Sequence, residues 1–198
     1  MTYIATIRPA EATGAVRQMY DEVGAQWGFV PNWVQAFSAR PDVRAGWMSL
    51  LTAIKAHLPA RTYELATLAA ARALNNTYCV MAHGRVLAEQ VFDASTVTAI
   101  IENREATRLE PRERAMMAFV DRIVREAERI GEEDIAALRR HGYSDEEIFD
   151  IAAAASARCF FAKLLDALGV QADASFSTLD PEFRNAAMVG RPMAEATG

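Results

Sequence analysis

Proline, glycine and asparagine divide this chain into short segments, and the residues between them favour helix. Alanine, leucine, glutamate and arginine are abundant in these segments, and all four have high helix propensity. No segment alternates apolar and polar residues for as long as a half-buried β-strand would require. The chain is therefore predicted to be all-α, with roughly eight helices.

Proline residues locate several of the helix starts. Proline suits the first turn of a helix, because the N–H that it lacks would have no partner there. Pro41, Pro59 and Pro111 are each expected to open a helix. An earlier helix is expected at 14–27, where Gly28 ends it.

Short polar side chains mark the remaining starts, since their oxygens cap free backbone N–H groups. Asn76 or Thr77 is expected to cap one helix, and Ser95 or Thr96 to open a short one. A Ser-Asp-Glu-Glu capping box at 144–147 begins the longest helix. That helix is apolar around much of its girth, so we expect it near the centre of the fold.

Length and charge limit the classes of protein to which the chain can belong. The 198 residues are enough for one domain over 1–198, with a core at about 14–170. The tail, 171–198, is expected to be partly irregular or to wrap a neighbouring subunit. A net charge of −5 argues against nucleic-acid binding, which requires a basic surface.

The chain is expected to be cytoplasmic and not to enter a membrane. It lacks a run of about 18 apolar residues, and its first residues have no apolar signal-peptide segment. It has two cysteines, and thiols stay reduced in the cytosol. A disulfide between Cys79 and Cys159 is the alternative.

Three side chains suited to nucleophilic and proton-transfer chemistry lie close together, at Glu64, Cys79 and His83. Cys79 and His83 are four residues apart, so they share one helix face. A cysteine in the first turn of a helix is favoured as thiolate. A histidine one turn away can relay a proton, and a carboxylate on the preceding helix can orient it. Cys79 is therefore a candidate nucleophile or peroxide-reducing group.

The same spacing has two other interpretations. Cys79 and His83 can be a buried cysteine beside a histidine of the core. The second interpretation is a metal site made by Cys79, His83 and Glu64. Stable zinc sites usually have three or four protein ligands, and no further cysteine or histidine is close in sequence. The chain is predicted to need no metal and no cofactor.

Several aromatic residues are candidates for lining a substrate pocket, although aromatics more often belong to the core or to subunit contacts. Tyr78, next to Cys79, is expected to donate a hydrogen bond within the site. The other candidates for the pocket are Trp27, Phe29, Trp33, Phe37 and Trp47.

These residues carry a resemblance to a known family. Glu64, Asn76, Cys79 and His83 lie where the AhpD-like family, also called the carboxymuconolactone decarboxylase superfamily, has a glutamate, the two cysteines of Cys-x-x-Cys and a histidine. The resemblance spans roughly 15–172. It includes three further short segments, at 30–32, 39–41 and 166–170.

The resemblance implies an all-helical fold that assembles as homo-trimers or hexamers. It also implies reduction of alkylhydroperoxides in members with both cysteines. In those members the second cysteine attacks the peroxide, the first resolves the sulfenic acid as a disulfide, and the glutamate and histidine form the proton relay.

The sequence departs from this family pattern at one decisive position. Asn76 stands where the resolving cysteine is expected, and an amide cannot form a disulfide. An oxidised Cys79 would need an external thiol, or Cys159, to return to the thiol. Cys159 is expected to serve core packing. A second departure is Phe-Ala-Lys at 161–163, where peroxidase-related members often have Phe-Asn-Arg.

The expected function is thiol-dependent reduction of a hydroperoxide by a homo-oligomeric enzyme that uses an external thiol as reductant. Cys79 would be the nucleophile, His83 its general base and proton relay, and Glu64 the group that orients the histidine or a bridging water. One alternative is acid–base catalysis on a small lactone or carboxylate by Glu64 and His83. Another is a non-catalytic oligomeric module that keeps a relic of the site.

A short internal similarity suggests a degenerate repeat. Leu-Pro-Ala-Arg at 58–61 and Leu-Glu-Pro-Arg at 109–112 both open helices. If the two segments descend from one duplication, Ala115 stands in the second copy where the first has Glu64.

Overall fold

The computed structural model describes residues 2–104 and 108–195, and the regular structure in these residues is helical. The all-α prediction is thereby confirmed, but the described residues form ten α-helices rather than roughly eight. The two extra helices are short and lie in segments expected to be loop or tail. The helices are α1 (Gly14–Trp27), α2 (Asn32–Ala36), α3 (Pro41–Lys55), α4 (Ala60–Ala73), α5 (Thr77–Gln90), α6 (Ala94–Ile101), α7 (Pro111–Glu126), α8 (Glu132–Arg140), α9 (Asp145–Ala167) and α10 (Pro181–Ala187).

Helix α4 lies at the centre of the fold and packs against α5, α7 and α9. Its small side chains allow this close packing, because Ala66, Ala69, Ala70 and Ala71 have no exposed surface. Helix α9, which was expected to be central, packs on α3, α4 and α7 but leaves Phe149 and Phe160 exposed. No helix among the described residues has the length and apolar character needed to cross a membrane.

Side-chain caps begin several of the helices. Asn76 caps α5, and Ser144 exchanges hydrogen bonds with the backbone and side chain of Glu147 at the start of α9. The cap of α6 is Asp93, whose Oδ1 accepts a 2.8 Å hydrogen bond from the backbone N–H of Thr96. The prediction that Ser95 or Thr96 opens this helix was therefore wrong by one or two residues. Aspartate is as good a cap as serine.

The C-terminal tail packs against its own chain. Helix α10 lies on α5 and α6, with the ring of Phe183 directly over Gly84. The backbone N–H of Gly190 donates a 3.0 Å hydrogen bond to Oγ1 of Thr77, at the start of α5. Up to residue 195 the tail thus covers this chain's own helices and is partly irregular, as expected, while wrapping of a neighbouring subunit stays a prediction.

The two helices that the similar segments at 58–61 and 109–112 open are joined by an ion pair. Arg61 donates from Nε and Nη2 to the two carboxylate oxygens of Glu113, at 2.6 and 2.9 Å. This bidentate contact ties the first turn of α4 to the first turn of α7. The duplication itself stays a prediction.

Candidate active site

Cys79 is held at the start of α5 by the cap of that helix. Its backbone N–H donates a 2.8 Å hydrogen bond to Oδ1 of Asn76. The amide nitrogen of Asn76 donates in turn to Oδ2 of Asp166 at 2.9 Å and to the carbonyl of Ala162 at 3.3 Å. Asn76 therefore fixes the first turn of α5 against α9, and it does not line the cavity at Cys79.

The thiol of Cys79 contacts a buried arginine of α9. Nη1 of Arg158 donates to Sγ of Cys79 at 3.6 Å, and Nη2 donates to the hydroxyl of Tyr63 at 3.4 Å. Burial raises the pKa of Cys79, whereas the charge and hydrogen bond of Arg158 act to lower that pKa; the net direction is upward. Arg158 is therefore the group that stabilises the thiolate against the cost of burial.

Arg158 is a site residue that the sequence interpretation missed. Its contact with Cys79 joins helices 79 residues apart, and spacing within one helix cannot reveal such a contact. A signal was nevertheless present, because Arg158 is the only charged residue between Asp150 and Lys163. A lone charged residue in an apolar stretch of helix is a candidate for a site, because charged side chains are almost never fully buried unless they are paired.

Glu64 and His83 form a close pair beside the thiol. Oε2 of Glu64 lies 2.6 Å from Nδ1 of His83. Burial lowers the pKa of His83, and the positive charge of Arg158 lowers it further, while Glu64 opposes both. A neutral His83 that donates from Nδ1 to the carboxylate keeps Nε2 as a proton acceptor.

The residues Glu64, Cys79 and His83 line one cavity of about 320 Å³. Arg158 lines it as well, and its guanidinium, rather than the imidazole of His83, makes the hydrogen bond to Sγ of Cys79. Seven of the 20 lining residues are aromatic. The aromatic residues of the wall are Trp27, Trp33, Trp47, Tyr63, Tyr78, Phe161 and Phe176.

The aromatic wall is supported by ring-to-ring packing. The ring of Phe161 stacks on Trp47 at 5.2 Å between centroids and meets the edge of Trp33 at 5.5 Å. Phe37 stacks behind Phe161 without lining the cavity, and Phe29 also lies outside it. Of the five aromatic candidates, the three tryptophans therefore line the cavity and the two phenylalanines do not.

Tyr78 closes the cavity by a contact with the tail. Its hydroxyl donates to Oδ2 of Asp173, whose Oδ1 accepts a 2.8 Å hydrogen bond from the backbone N–H of Asn32. Burial raises the pKa of Tyr78 well above its ordinary value, and the negative charge of Asp173 adds to this effect. Tyr78 thus lines the site, but it donates its hydrogen bond to the tail.

Comparison with known proteins shows which family and which folds this chain resembles. A model of the carboxymuconolactone decarboxylase family matches residues 41–122, a range that contains Glu64, Cys79 and His83. A solved structure described as an alkylhydroperoxidase AhpD core, an uncharacterized peroxidase-related protein from Ralstonia eutropha JMP134, is 26% identical, with a TM-score of 0.78. That similarity covers 95% of this chain and 97% of the other. The chain is thus similar in sequence, over residues 41–122, to the carboxymuconolactone decarboxylase family and similar in fold to AhpD-like proteins.

Two further structures share the AhpD-like fold. An uncharacterized peroxidase-related protein from Silicibacter sp. TM1040 is 20% identical, with a TM-score of 0.79 over 89% of this chain and 94% of its own. The debrominase Bmp8, solved as a cysteine-to-alanine variant in complex with 2,3,4-tribromopyrrole, is 19% identical, with a TM-score of 0.71 over 94% and 96%. No curated protein matches the chain significantly in sequence.

The second cysteine of the chain lies outside the cavity. Cys159 is half-buried on α9, and both cysteines are free thiols, so the alternative of a disulfide is wrong for this structure.

The segment 161–163 departs from the family pattern at Ala162 and Lys163. The carbonyl of Ala162 accepts a hydrogen bond from the side-chain amide of Asn76. Lys163 is exposed. Lys163, the one charged residue of this segment, therefore does not line the cavity that contains the thiol of Cys79.

The described residues hold no group of three or more histidine, cysteine, aspartate or glutamate side chains placed to bind a metal ion. Glu64 and His83 are engaged with each other, and the neighbour of Cys79 is the guanidinium of Arg158. A guanidinium repels a cation, so a metal site at these three residues is disfavoured by charge as well.

Proposed function

We propose that this AhpD-like protein is a cysteine-dependent oxidoreductase that reduces hydroperoxides at the expense of an external thiol. One observation carries the proposal: the thiol of Cys79, in contact with Arg158, shares its cavity with the hydrogen-bonded pair of Glu64 and His83. That cavity thus holds a nucleophile, a cation that favours its ionised form and a neutral proton acceptor.

The first half of the reaction oxidises the thiol. His83 takes the proton of Cys79, and the thiolate attacks the terminal oxygen of the hydroperoxide. The S–O bond forms as the O–O bond breaks, so the sulfur is oxidised to a sulfenic acid and the peroxide is reduced. The departing alkoxide takes the proton from His83 and leaves as an alcohol.

The second half of the reaction returns the enzyme to its starting state. An external thiol attacks the sulfenic sulfur of Cys79, which gives a mixed disulfide and water. A second external thiol then releases Cys79 as a thiol and leaves as a small disulfide. The external reductant is required because Asn76 supplies a helix cap rather than a second thiol.

The decisive experiment measures consumption of hydrogen peroxide and of an organic hydroperoxide in the presence of excess small thiol. Wild-type protein should consume the organic hydroperoxide, and Cys79→Ser should reduce the rate to that of thiol alone. Cys159→Ser is the matched control and should retain the rate, because Cys159 lies outside the cavity. Equal rates for wild type and Cys79→Ser would refute the proposal.

The alternative function, acid–base catalysis, would require His83 but not the thiol of Cys79. The pair of Glu64 and His83 is complete without the thiol. On a small lactone substrate, Cys79→Ser would then be tolerated and His83→Ala would not. A relic site would instead leave every variant inactive on both substrate classes.

A second redox candidate is thiol-dependent removal of a halogen from an aromatic ring. The aromatic walls of the cavity favour a flat ring, and the debrominase Bmp8 shares the fold. In such a reaction two thiols would be oxidised to a disulfide while the carbon–bromine bond becomes carbon–hydrogen and bromide leaves. Release of bromide from a bromopyrrole, assayed beside peroxide consumption, separates the two candidates.

We also propose that the protein is a cytoplasmic homo-oligomer, a trimer or hexamer. Large apolar side chains are exposed on this chain, as an interface between copies would require. Light scattering of the purified protein gives the number of subunits, and a monomer would contradict the proposal. The most exposed of these side chains on α3 and α9 are Leu50, Phe149 and Phe160.

A further inference from the structure

Arg158 is a buried cation without a carboxylate partner. Its exposed fraction is 5%. Of the ion pairs formed within residues 2–104 and 108–195, none involves Arg158. Its Nε is buried and has no hydrogen-bond partner. Burial of an unpaired charge is strongly unfavourable, so such a guanidinium indicates a site for an anion.

The two partners that Arg158 does have are weak ones. Sγ of Cys79 and the hydroxyl of Tyr63 accept its hydrogen bonds at 3.6 and 3.4 Å. Both groups are neutral in their protonated forms, which burial favours. A guanidinium has five N–H donors, and these two contacts leave the others for an incoming group.

Two further positive side chains at the cavity also favour the binding of an anion. Lys55 and Arg44 also line it, lying over the rings of Tyr63 and Trp33 respectively. In the described part of the chain neither of these cations forms an ion pair with an acidic side chain. The cavity therefore attracts negative charge.

The two carboxylates that line the cavity are already engaged. The carboxylate of Glu64 is hydrogen-bonded to Nδ1 of His83. Asp173 accepts hydrogen bonds from Tyr78 and from the backbone of Asn32. Three cations thus face a cavity in which both acidic groups have other partners.

The shape and walls of the cavity define the rest of the ligand. A volume of about 320 Å³ is at the small end of the range for small-molecule sites. The aromatic walls favour a flat, apolar body. The ligand that fits both the walls and the charges is an aromatic ring system with one negative charge.

We propose that the cavity binds aromatic monocarboxylates, that the substrates of Cys79 are hydroperoxides that carry such a group, and that Arg158 binds the carboxylate. This inference rests on the proposed function for the chemistry at Cys79, but the recognition of the anion can be measured without any turnover. A carboxylate suits Arg158 because its two oxygens can accept two N–H groups of one guanidinium.

Binding is tested first on the Cys79→Ser protein, in which no thiol chemistry can occur. Calorimetry compares a naphthoate with the matching neutral naphthylmethanol, which has the same ring but no charge. The naphthoate should bind about tenfold more tightly or better, as expected for a charged hydrogen-bonding partner. Equal affinity for the two compounds would overturn the inference, and this comparison requires no change at Arg158.

Variants of α9 then assign the effect to one residue. Arg158→Met should remove the preference for naphthoate over the neutral compound, and Arg158→Lys should restore part of it. Lys163→Met removes an exposed positive charge from the same helix and should leave the preference unchanged. An Arg158→Met protein that is folded by circular dichroism and keeps the full preference would contradict the inference.

Turnover separates this inference from the proposed function. Cumene hydroperoxide and its ring-carboxylated analogue are compared with wild-type protein and excess thiol, and the carboxylated compound should have the lower KM. Reduction of both with equal KM would refute the inference while the proposed function stands. Preferential binding of the naphthoate without reduction of either hydroperoxide would refute the proposed function while the anion site stands.

Discussion

Oδ1 of Asn76 accepts a 2.8 Å hydrogen bond from the backbone N–H of Cys79. The position at which two-cysteine relatives are expected to hold a resolving thiol is therefore occupied by a helix cap in this chain. A cap needs only an acceptor oxygen, whereas a resolving residue needs a sulfur. One substitution thus keeps the start of α5 and removes the means of closing a disulfide.

Replacing Asn76 with cysteine should restore disulfide formation. Positions 76 and 79 lie within one helical turn, so a thiol at 76 is close enough to resolve a sulfenic acid at Cys79. After addition of one equivalent of hydrogen peroxide, mass spectrometry should show the loss of two hydrogens and a peptide that links 76 to 79. The same variant combined with Cys159→Ser excludes a disulfide to Cys159. A persistent sulfenic acid in both proteins would contradict the prediction.

The rate of alkylation at Cys79 should rise with pH over a range above the ordinary titration of a thiol. Only the thiolate reacts, and burial, partly opposed by Arg158, raises the pKa of Cys79 above its ordinary value of 9.0. In a Cys159→Ser background, the midpoint of iodoacetamide labelling should therefore lie above pH 9.0.

Arg158→Met should move this midpoint to still higher pH, because Arg158 is the main group that lowers the pKa of Cys79. Lys163→Met on the same helix serves as the control and should leave the midpoint in place. A midpoint that is the same with and without Arg158 would show that the guanidinium does not stabilise the thiolate.

The free energy of unfolding should fall as the pH drops below 6.5, in part because of His83. Burial lowers the pKa of His83 from its ordinary value of 6.5, so below that pH the unfolded chain binds a proton that the folded chain resists. Stability is then lost as the pH falls. Urea unfolding above and below pH 6.5 measures the loss.

His83→Gln should remove this component and flatten the dependence of stability on pH. His141→Gln is the matched control, because His141 is exposed and its replacement leaves His83 in place. The prediction fails if His83→Gln and wild type lose the same free energy over this interval.

Alanine substitutions at two helical glycines should have opposite effects on stability. A Cβ at Gly84 would lie 2.8 Å from the ring of Phe183, whereas a Cβ at Gly46 would meet nothing within 4 Å. Gly46→Ala should raise the free energy of unfolding by about 0.5–1 kcal/mol. Gly84→Ala should lower it, since overpacking a core costs about 1–3 kcal/mol.

Denaturation by urea measures both changes at Gly46 and Gly84. Combining Gly84→Ala with Phe183→Leu tests the cause, because the smaller side chain relieves the contact and the two changes should then be non-additive. Strict additivity would mean that the cost at Gly84 has another origin.

Local sequence signals predicted most of the helix starts. Pro41 and Pro111 open their helices, and the Ser144 capping box begins α9, because these signals act within a single turn. The main element that these signals did not predict is the helix in the tail. Helix α10 is only seven residues long, so its position depends on packing against α5 and α6 rather than on its own sequence pattern.

In the candidate site too, contacts between neighbouring segments could be predicted from the sequence, whereas contacts between distant segments could not. The Glu64 to His83 contact joins two helices that are adjacent in sequence, so spacing suggested the pairing. The contact of Arg158 with Cys79 and the tie of Tyr78 to Asp173 bridge residues far apart in the chain. Such contacts follow from the folded arrangement of helices, and no periodicity in one segment reveals them.

The walls of the cavity come from residues as far apart as Val23 and Phe176. A ribosome delivers the chain from its N-terminus, so Cys79 emerges well before Arg158 and the tail that covers it. Until those residues arrive, the thiol lacks the walls that bury it in the finished fold. The shielded environment of Cys79 therefore depends on a chain that is folded as far as Phe176.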